Sequence, residues 1–179
     1  MKKLLFILTL FIYGISNAQI EQGNSLINVG VGFGVTFTST GGDYKNTIPP
    51  VQASYEYAVA DKFTVGAFVG YAASEFRASD IFGGEEFGFD YTYFLGGALG
   101  NWQFVNNESF NAYLGAKLGY VSITADQVGD SSFGFSAEAS GIVLGGHIGA
   151  RYFFSDAIGV NLEAGYGVSY LTAGLTFRF

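Results

Sequence analysis

Five charged side chains, Glu56, Lys117, Arg151, Glu163 and Arg178, recur at alternate positions in stretches otherwise made of small and apolar residues. Charges at that spacing fall on one face of a strand. If that face is shut away from water, an isolated charge is very costly, so residues of both signs must pair. Arg151 and Glu163 flank the turn Ser155-Asp156 on consecutive strands, which predicts them as partners. Such a set can serve as a static plug or as a gate that switches pairings to pass small ions. His147, the only histidine, shares the same parity and could act as a catalytic base. A base needs a nucleophile within hydrogen-bond reach, yet no serine on its strand points the same way. Hydrogen-bonded packing is therefore the reading for His147.

Other chemistry is thinner. Glu75, Asp80, Glu85 and Glu86, with Asp126, Asp130 and Glu138, offer oxygen ligands to a divalent cation. They lack calcium-loop spacing and read as a solvated, repulsive surface. Gly30-Val31-Gly32-Phe33-Gly34 opens no helix, so it is no phosphate-binding loop. No cysteine is present, which removes disulfides and zinc-thiolate sites. The sequence calls for no cofactor, metal or catalytic residue.

The elements that position these charges are strands. Ile27 to Thr38 alternates apolar residues with Asn, Gly and Thr for twelve positions. Further strands follow at 51–59, 63–72, 89–104, 110–120, 141–154 and 158–166, with a last one from about 170 to the end. Pro49-Pro50 lack ladder donors and belong to a loop or its rim. In 89–104, Phe89, Tyr91, Tyr93 and Leu95 share one parity while Trp102 and Phe104 share the other, which predicts a bulge near Gly96-Gly97. Polar loops at 39–50, 74–88 and 124–140 alternate with short turns. Eight antiparallel strands with long loops at one end and short turns at the other are the signature of a transmembrane barrel.

The two ends of the chain agree. Lys2-Lys3, an apolar run from Leu4 to Ile15 and the exit Ser16-Asn17-Ala18 read as a signal peptide over 1–18, leaving 19–179 as the barrel domain. The run is too short to span a bilayer as a helix, and no later apolar stretch reaches about 20 residues, so a helical membrane protein is excluded. Without Lys2 and Lys3, six basic residues face fifteen acidic ones, a net charge of −9 that argues against nucleic acid. At the other end, Leu171 to Phe179 alternates perfectly and stops on an aromatic.

Alternation alone also fits a soluble barrel that holds a ligand. Volume decides between them. An eight-stranded barrel has an interior only just wide enough for side chains, and here one face is bulky and the other mostly Gly, Ser and Thr. The bulky face must therefore look outward at lipid. Tyr55, Tyr57, Phe63, Phe110, Tyr152, Phe177 and Phe179, beside the short turns, would form an interfacial girdle.

On the signal peptide, on Thr172, Gly174, Phe177 and Phe179, and on strand phrases such as Gly149 to Phe154 and Glu163 to Gly167, the chain resembles the small outer-membrane β-barrels of Gram-negative bacteria, of OmpA and OmpX type. The resemblance covers the whole mature chain. It implies that Thr172, Gly174, Phe177 and Phe179 are a C-terminal assembly signal read by the barrel-assembly machinery. It also implies a monomer in the outer-membrane lipid bilayer, with both termini periplasmic and the long loops outside, in contact with the environment or an unidentified partner. Members range from passive anchors to adhesins and lipid-modifying enzymes, so membership fixes location better than activity. The expected role is structural or surface-interacting, not enzymatic. A narrow pore is the alternative, and a lipid-modifying enzyme dependent on His147 the more remote one.

Overall fold

A computed structural model describes residues 19–36, 44–78, 87–128 and 136–179. Eight strands, β1 (Ser25–Val35), β2 (Tyr44–Ala60), β3 (Phe63–Ala78), β4 (Phe87–Asn106), β5 (Phe110–Val128), β6 (Ser136–Phe153), β7 (Ile158–Gly165) and β8 (Ser169–Arg178), follow one another around a closed barrel. Every neighbouring pair is antiparallel, and β8 returns to β1 through a ladder from Leu26↔Arg178 to Val35↔Ser169. Closure gives every strand a partner on both sides over at least part of its length, as a sheet that crosses hydrocarbon requires.

The period-two pattern sorts the faces as the volume argument requires. Val29, Phe33, Val65, Leu114, Leu118, Leu144 and Leu175 are exposed on the outside, with Ile142 at 80% the most bare. Trp102, Phe104, Phe110, Phe154 and Phe179 ring the short-turn end of this belt, and Phe33, Phe94, Tyr120, Tyr166 and Tyr170 ring the other.

Three sequence expectations need correction. Strand β4 has no bulge at Gly96-Gly97, because its register against β3 runs unbroken from Phe87 to Trp102 and the irregularity falls at Gln103/Val105. Tyr93, Leu95 and Leu99 point into the barrel while Phe94, Trp102 and Phe104 point out. The strand is regular over this span; its interior face is apolar from Tyr93 to Leu99 and polar at Asn101 and Gln103. Secondly, the described parts of the polar segments are not loops. Tyr44–Pro50, Ser74–Ala78, Phe87–Gly88, Thr124–Val128 and Ser136–Ser140 are paired strand. Past the lipid belt the outer face meets water, so hydrophobic alternation fades although the ladder continues. The remainders, 37–43, 79–86 and 129–135, lie outside the described residues, and with them Asp80, Glu85, Glu86 and Asp130. Thirdly, Pro49 and Pro50 are inside β2, where the register skips between Ile48 and Val51. Their missing donors coincide with the break, and Pro50 is buried.

The barrel wall is uneven. Strands β4 and β5 have 20 and 19 residues, β7 and β8 only 8 and 10. The β6–β7 ladder runs from His147 to Phe153 only, so the upper half of β6 is laddered to β5 alone among the described residues.

Inside, the side chains form three layers along the axis. Ile20, Leu26, Ala58 and Phe153 cluster at the short-turn mouth. Phe68, Leu95, Leu99, Val121 and Val168, packed against Ile123 and Val143, fill the loop end beside Val35, Ala72 and Tyr93. The charged residues lie between.

Candidate functional site

The middle layer is a continuous polar network. Glu56 on β2 is 2% exposed and Arg151 on β6 is 1% exposed. They face each other across the lumen, with Arg151 Nη2 donating to Glu56 Oε1 at 2.5 Å. Glu56 accepts three further hydrogen bonds, from Asn28 Nδ2 at 2.8 Å, Thr64 Oγ1 at 2.6 Å and Asn101 Nδ2 at 2.9 Å. Four donors saturate the lone pairs of a carboxylate. Arg151 also reaches Asn111 Oδ1 at 3.3 Å and lies with its guanidinium carbon 4.0 Å from the centroid of the Tyr113 ring.

A second pair sits higher. Lys117 on β5 donates to Glu163 Oε1 on β7. Tyr113 donates to Glu163 Oε2 at 3.1 Å and Gln52 to Oε1 at 3.4 Å. His147 joins the two pairs. Its Nε2 is 2.7 Å from Asn101 Oδ1 and 3.7 Å from Glu163 Oε2. Because the Asn101 amide donates to Glu56, its oxygen is the acceptor, which assigns the proton to His147 Nε2. Arg151 and Lys117, both buried, thus each have a carboxylate partner, the arrangement that a desolvated charge requires.

The expected partners are therefore exchanged. Arg151 does not pair with Glu163: in the ladder it lies opposite Asn161, while Glu163 lies opposite Gly149. In so narrow a lumen a long side chain spans the barrel, and Arg151 reaches Glu56 on the far wall. Arg178 stands apart at the short-turn mouth, its guanidinium carbon 4.4 Å from the Phe153 ring centroid and its Nε donating to the Asp156 carbonyl at 3.0 Å. Glu56, Lys117, Arg151 and Glu163 are brought into one layer; Arg178 is not.

Sequence reasoning missed the neutral members, Asn28, Thr64, Asn101, Gln103 and Tyr113. Asn101 and Gln103 alternate with outward Trp102 and Phe104 and so share the inward parity with or without the bulge; it is Tyr93 and Leu95 that a bulge at Gly96 would have turned outward. Gly115 is another missed residue. A Cβ there would fall on Asn101 Oδ1 and within 2.5 Å of His147 Nε2, so a bare backbone is needed for that hydrogen bond.

The His147 side chain is 1% exposed and its ring partners are Asn101 and Glu163, so it has no hydroxyl or thiol within reach to activate. Nδ1 has no protein partner. Among the described residues no group of three or more His, Asp or Glu could hold a metal ion. Of the acidic residues outside, Glu75 and Asp90 flank Arg77, whose Nη2 lies 3.2 Å and 2.7 Å from them. Of the C-terminal residues, Thr172 is buried and bonded to Ser169 Oγ at 2.7 Å, Gly174 packs on the β1 backbone, and Phe179 is exposed on the outer rim.

Comparison with known proteins places this architecture. OprG, an outer membrane protein of Pseudomonas aeruginosa, superposes with a TM-score of 0.57 at 14% identity, over 89% of this chain and 97% of that one. The fold is a transmembrane β-barrel. Two looser matches are Ail, the attachment invasion locus protein of Yersinia pestis, solved with the heparin analogue sucrose octasulfate (TM-score 0.48, 17% identity, 88% and 99% covered), and the N-terminal barrel domain of Pseudomonas aeruginosa OprF (0.45, 14%, 89% and 98%). No protein-family model and no curated protein matches the sequence. At such identities the likeness concerns the fold alone.

Proposed function

We propose that the protein is a monomeric, integral outer-membrane barrel whose lumen is a sealed structural core. Residues 1–18 act as the export signal, and Thr172, Gly174, Phe177 and Phe179 present the last strand to the barrel-assembly machinery. The short-turn end faces the periplasm and the long strands project outward as a surface for contact. Its role is to hold that surface in the bilayer.

One observation carries this reading: the ion-paired layer is closed by apolar side chains at both ends, Ile20, Leu26, Ala58 and Phe153 below and Phe68, Leu95, Leu99, Val121 and Val168 above. Eight strands leave space for filling side chains and not for an aqueous channel, so the pore alternative would require both apolar layers to part. The lack of a hydroxyl or thiol hydrogen-bonded to His147 among the described residues supports a role other than catalysis.

The test is refolding of 19–179 into lipid and electrophoresis with and without boiling. Faster migration of the unboiled sample, strand-dominated far-UV spectra and a need for detergent or lipid are expected. A chain that stays monomeric and soluble without either would contradict the membrane assignment.

A further inference from the structure

The stretch 19–24 belongs to no strand, yet it is fixed at the short-turn mouth by polar contacts at almost every residue. Asn106 clamps Ile20 from both sides: its Oδ1 accepts from the Ile20 amide at 3.2 Å and its Nδ2 donates to the Ile20 carbonyl at 2.8 Å. Glu21 N donates to Asn24 Oδ1 at 2.8 Å, Gln22 N to Asp61 Oδ1 at 3.1 Å and Gly23 N to the Ala58 carbonyl at 2.9 Å. Gly23 takes φ 98°, a left-handed turn that reverses the chain before β1. The turn aims Ile20 back into the barrel, where it is 1% exposed against Leu26, Ala58 and Phe153. Fixing six residues outside the sheet costs conformational entropy at each. A tail that merely linked a leader to β1 would need no such anchoring.

Position and charge agree. Ala58 lies opposite Thr64 in the β2–β3 ladder, and Thr64 donates to Glu56, so Ile20 sits directly under the polar layer. Below it, Gln19 lines a polar cavity of about 420 Å³ with Glu21, Glu108, Asp156 and Arg178. If export cleaves after Ala18, a new α-ammonium appears on Gln19 beside three carboxylate residues, where it is electrostatically favoured.

We propose that residues 19–24 are a built-in stopper: once the leader is removed, the new N-terminus folds back, seats Ile20 in the short-turn mouth and closes the lumen from that side. The loop-end layer belongs to the wall and to the β7–β8 turn, whereas this seal is a terminal segment that can leave without breaking a ladder. The inference rests on the reading of a cleaved leader and a sealed lumen, and the test separates their failures.

The chain has no cysteine, so Thr64→Cys supplies a single thiol opposite Ala58, on the lumen side of Ile20, its S–H standing in for the hydroxyl that donates to Glu56; heat-modifiability of this parent is checked first. The full chain is exported from a bacterial host and its mature N-terminus confirmed by mass. Labelling by a small charged methanethiosulfonate reagent is then timed in detergent for Thr64→Cys alone, with Ile20→Gly, and with Asn106→Ala. Slow labelling of the parent is expected. Ile20→Gly should accelerate it about tenfold or more, the order set by losing the burial of one isoleucine side chain, with heat-modifiability intact. Asn106→Ala, which leaves the apolar contact and removes the clamp together with the hydrogen bonds to the Asp61 carbonyl and from Asn111, should accelerate it less, and stands in if Ile20→Gly does not fold. Equal slow rates in all three would overturn the stopper while leaving the sealed lumen standing. Fast labelling of the parent would overturn both.

Discussion

The middle and the loop end of the lumen solve the same packing problem with opposite chemistry. In the middle, Glu56, Arg151, Lys117, Glu163, His147 and Asn101 satisfy one another across the barrel, so each contact links strands that are not neighbours. At the loop end, Phe68, Leu95, Leu99 and Val121 pack side by side on β3 to β5 with Val168 above them. Losing a member of the first layer strands its partners, whereas losing a member of the second leaves only a void. The polar layer is thus specific and brittle, and the apolar layer tolerant. Substitutions should divide along that line.

The largest effect is expected at Glu56. Glu56→Gln leaves Arg151 uncompensated and disturbs three other donors, and should destabilise the barrel by about 3–5 kcal/mol, read from the urea midpoint of Trp102 fluorescence in lipid. Replacing Glu56 and Arg151 together by apolar residues should recover most of that loss; if the double variant is no better than the single, the cross-lumen pair is not the cause. Leu95→Ala should follow, at about 2–5 kcal/mol. Its effect should add to that of Glu56→Gln within about 0.5 kcal/mol, as expected for sites without shared partners. A strong coupling between them would erase the distinction between the layers.

Gly115→Ala comes next, at about 1–3 kcal/mol, because the added methyl occupies the space of the Asn101–His147 hydrogen bond. The smallest change belongs to Arg77→Ala. Its pair with Asp90 is partly exposed, with the two side chains 35% and 52% accessible, and should contribute no more than about 1 kcal/mol, less in high salt. A loss as large as that at Glu56 would mean that the projecting strands, not the lumen, hold the barrel together.

How far these layers could be read from sequence depends on what each relied on. The strands around Val29, Val65, Leu118 and Leu144 were legible because lipid outside and small residues inside enforce a strict period of two. The charges Glu56, Lys117, Arg151 and Glu163 were legible as interior for the same reason. Their partners were not, since parity says which way a side chain points and not how far across the lumen it reaches; hence Arg151 meets Glu56 instead of Glu163. Strand β4 misled because Tyr93 and Leu95 are apolar and face inward, where hydrophobicity no longer distinguishes the two faces. The polar segments near Asp126 and Glu138 read as loops because their exposed polar side chains hide the alternation that marks a strand. Nothing in Gln19 to Asn24 signalled a folded segment, as its contacts come from Ala58, Asp61 and Asn106, all distant in sequence.

The measurement that bears most directly on the proposed seal is conductance of refolded 19–179 in a planar bilayer, recorded beside a Glu56→Gln, Leu95→Ala double variant. The layered interior predicts a silent parent at all moderate voltages and, in the variant, brief openings. Steady, resolvable current steps from the parent would contradict it and make the barrel a pore.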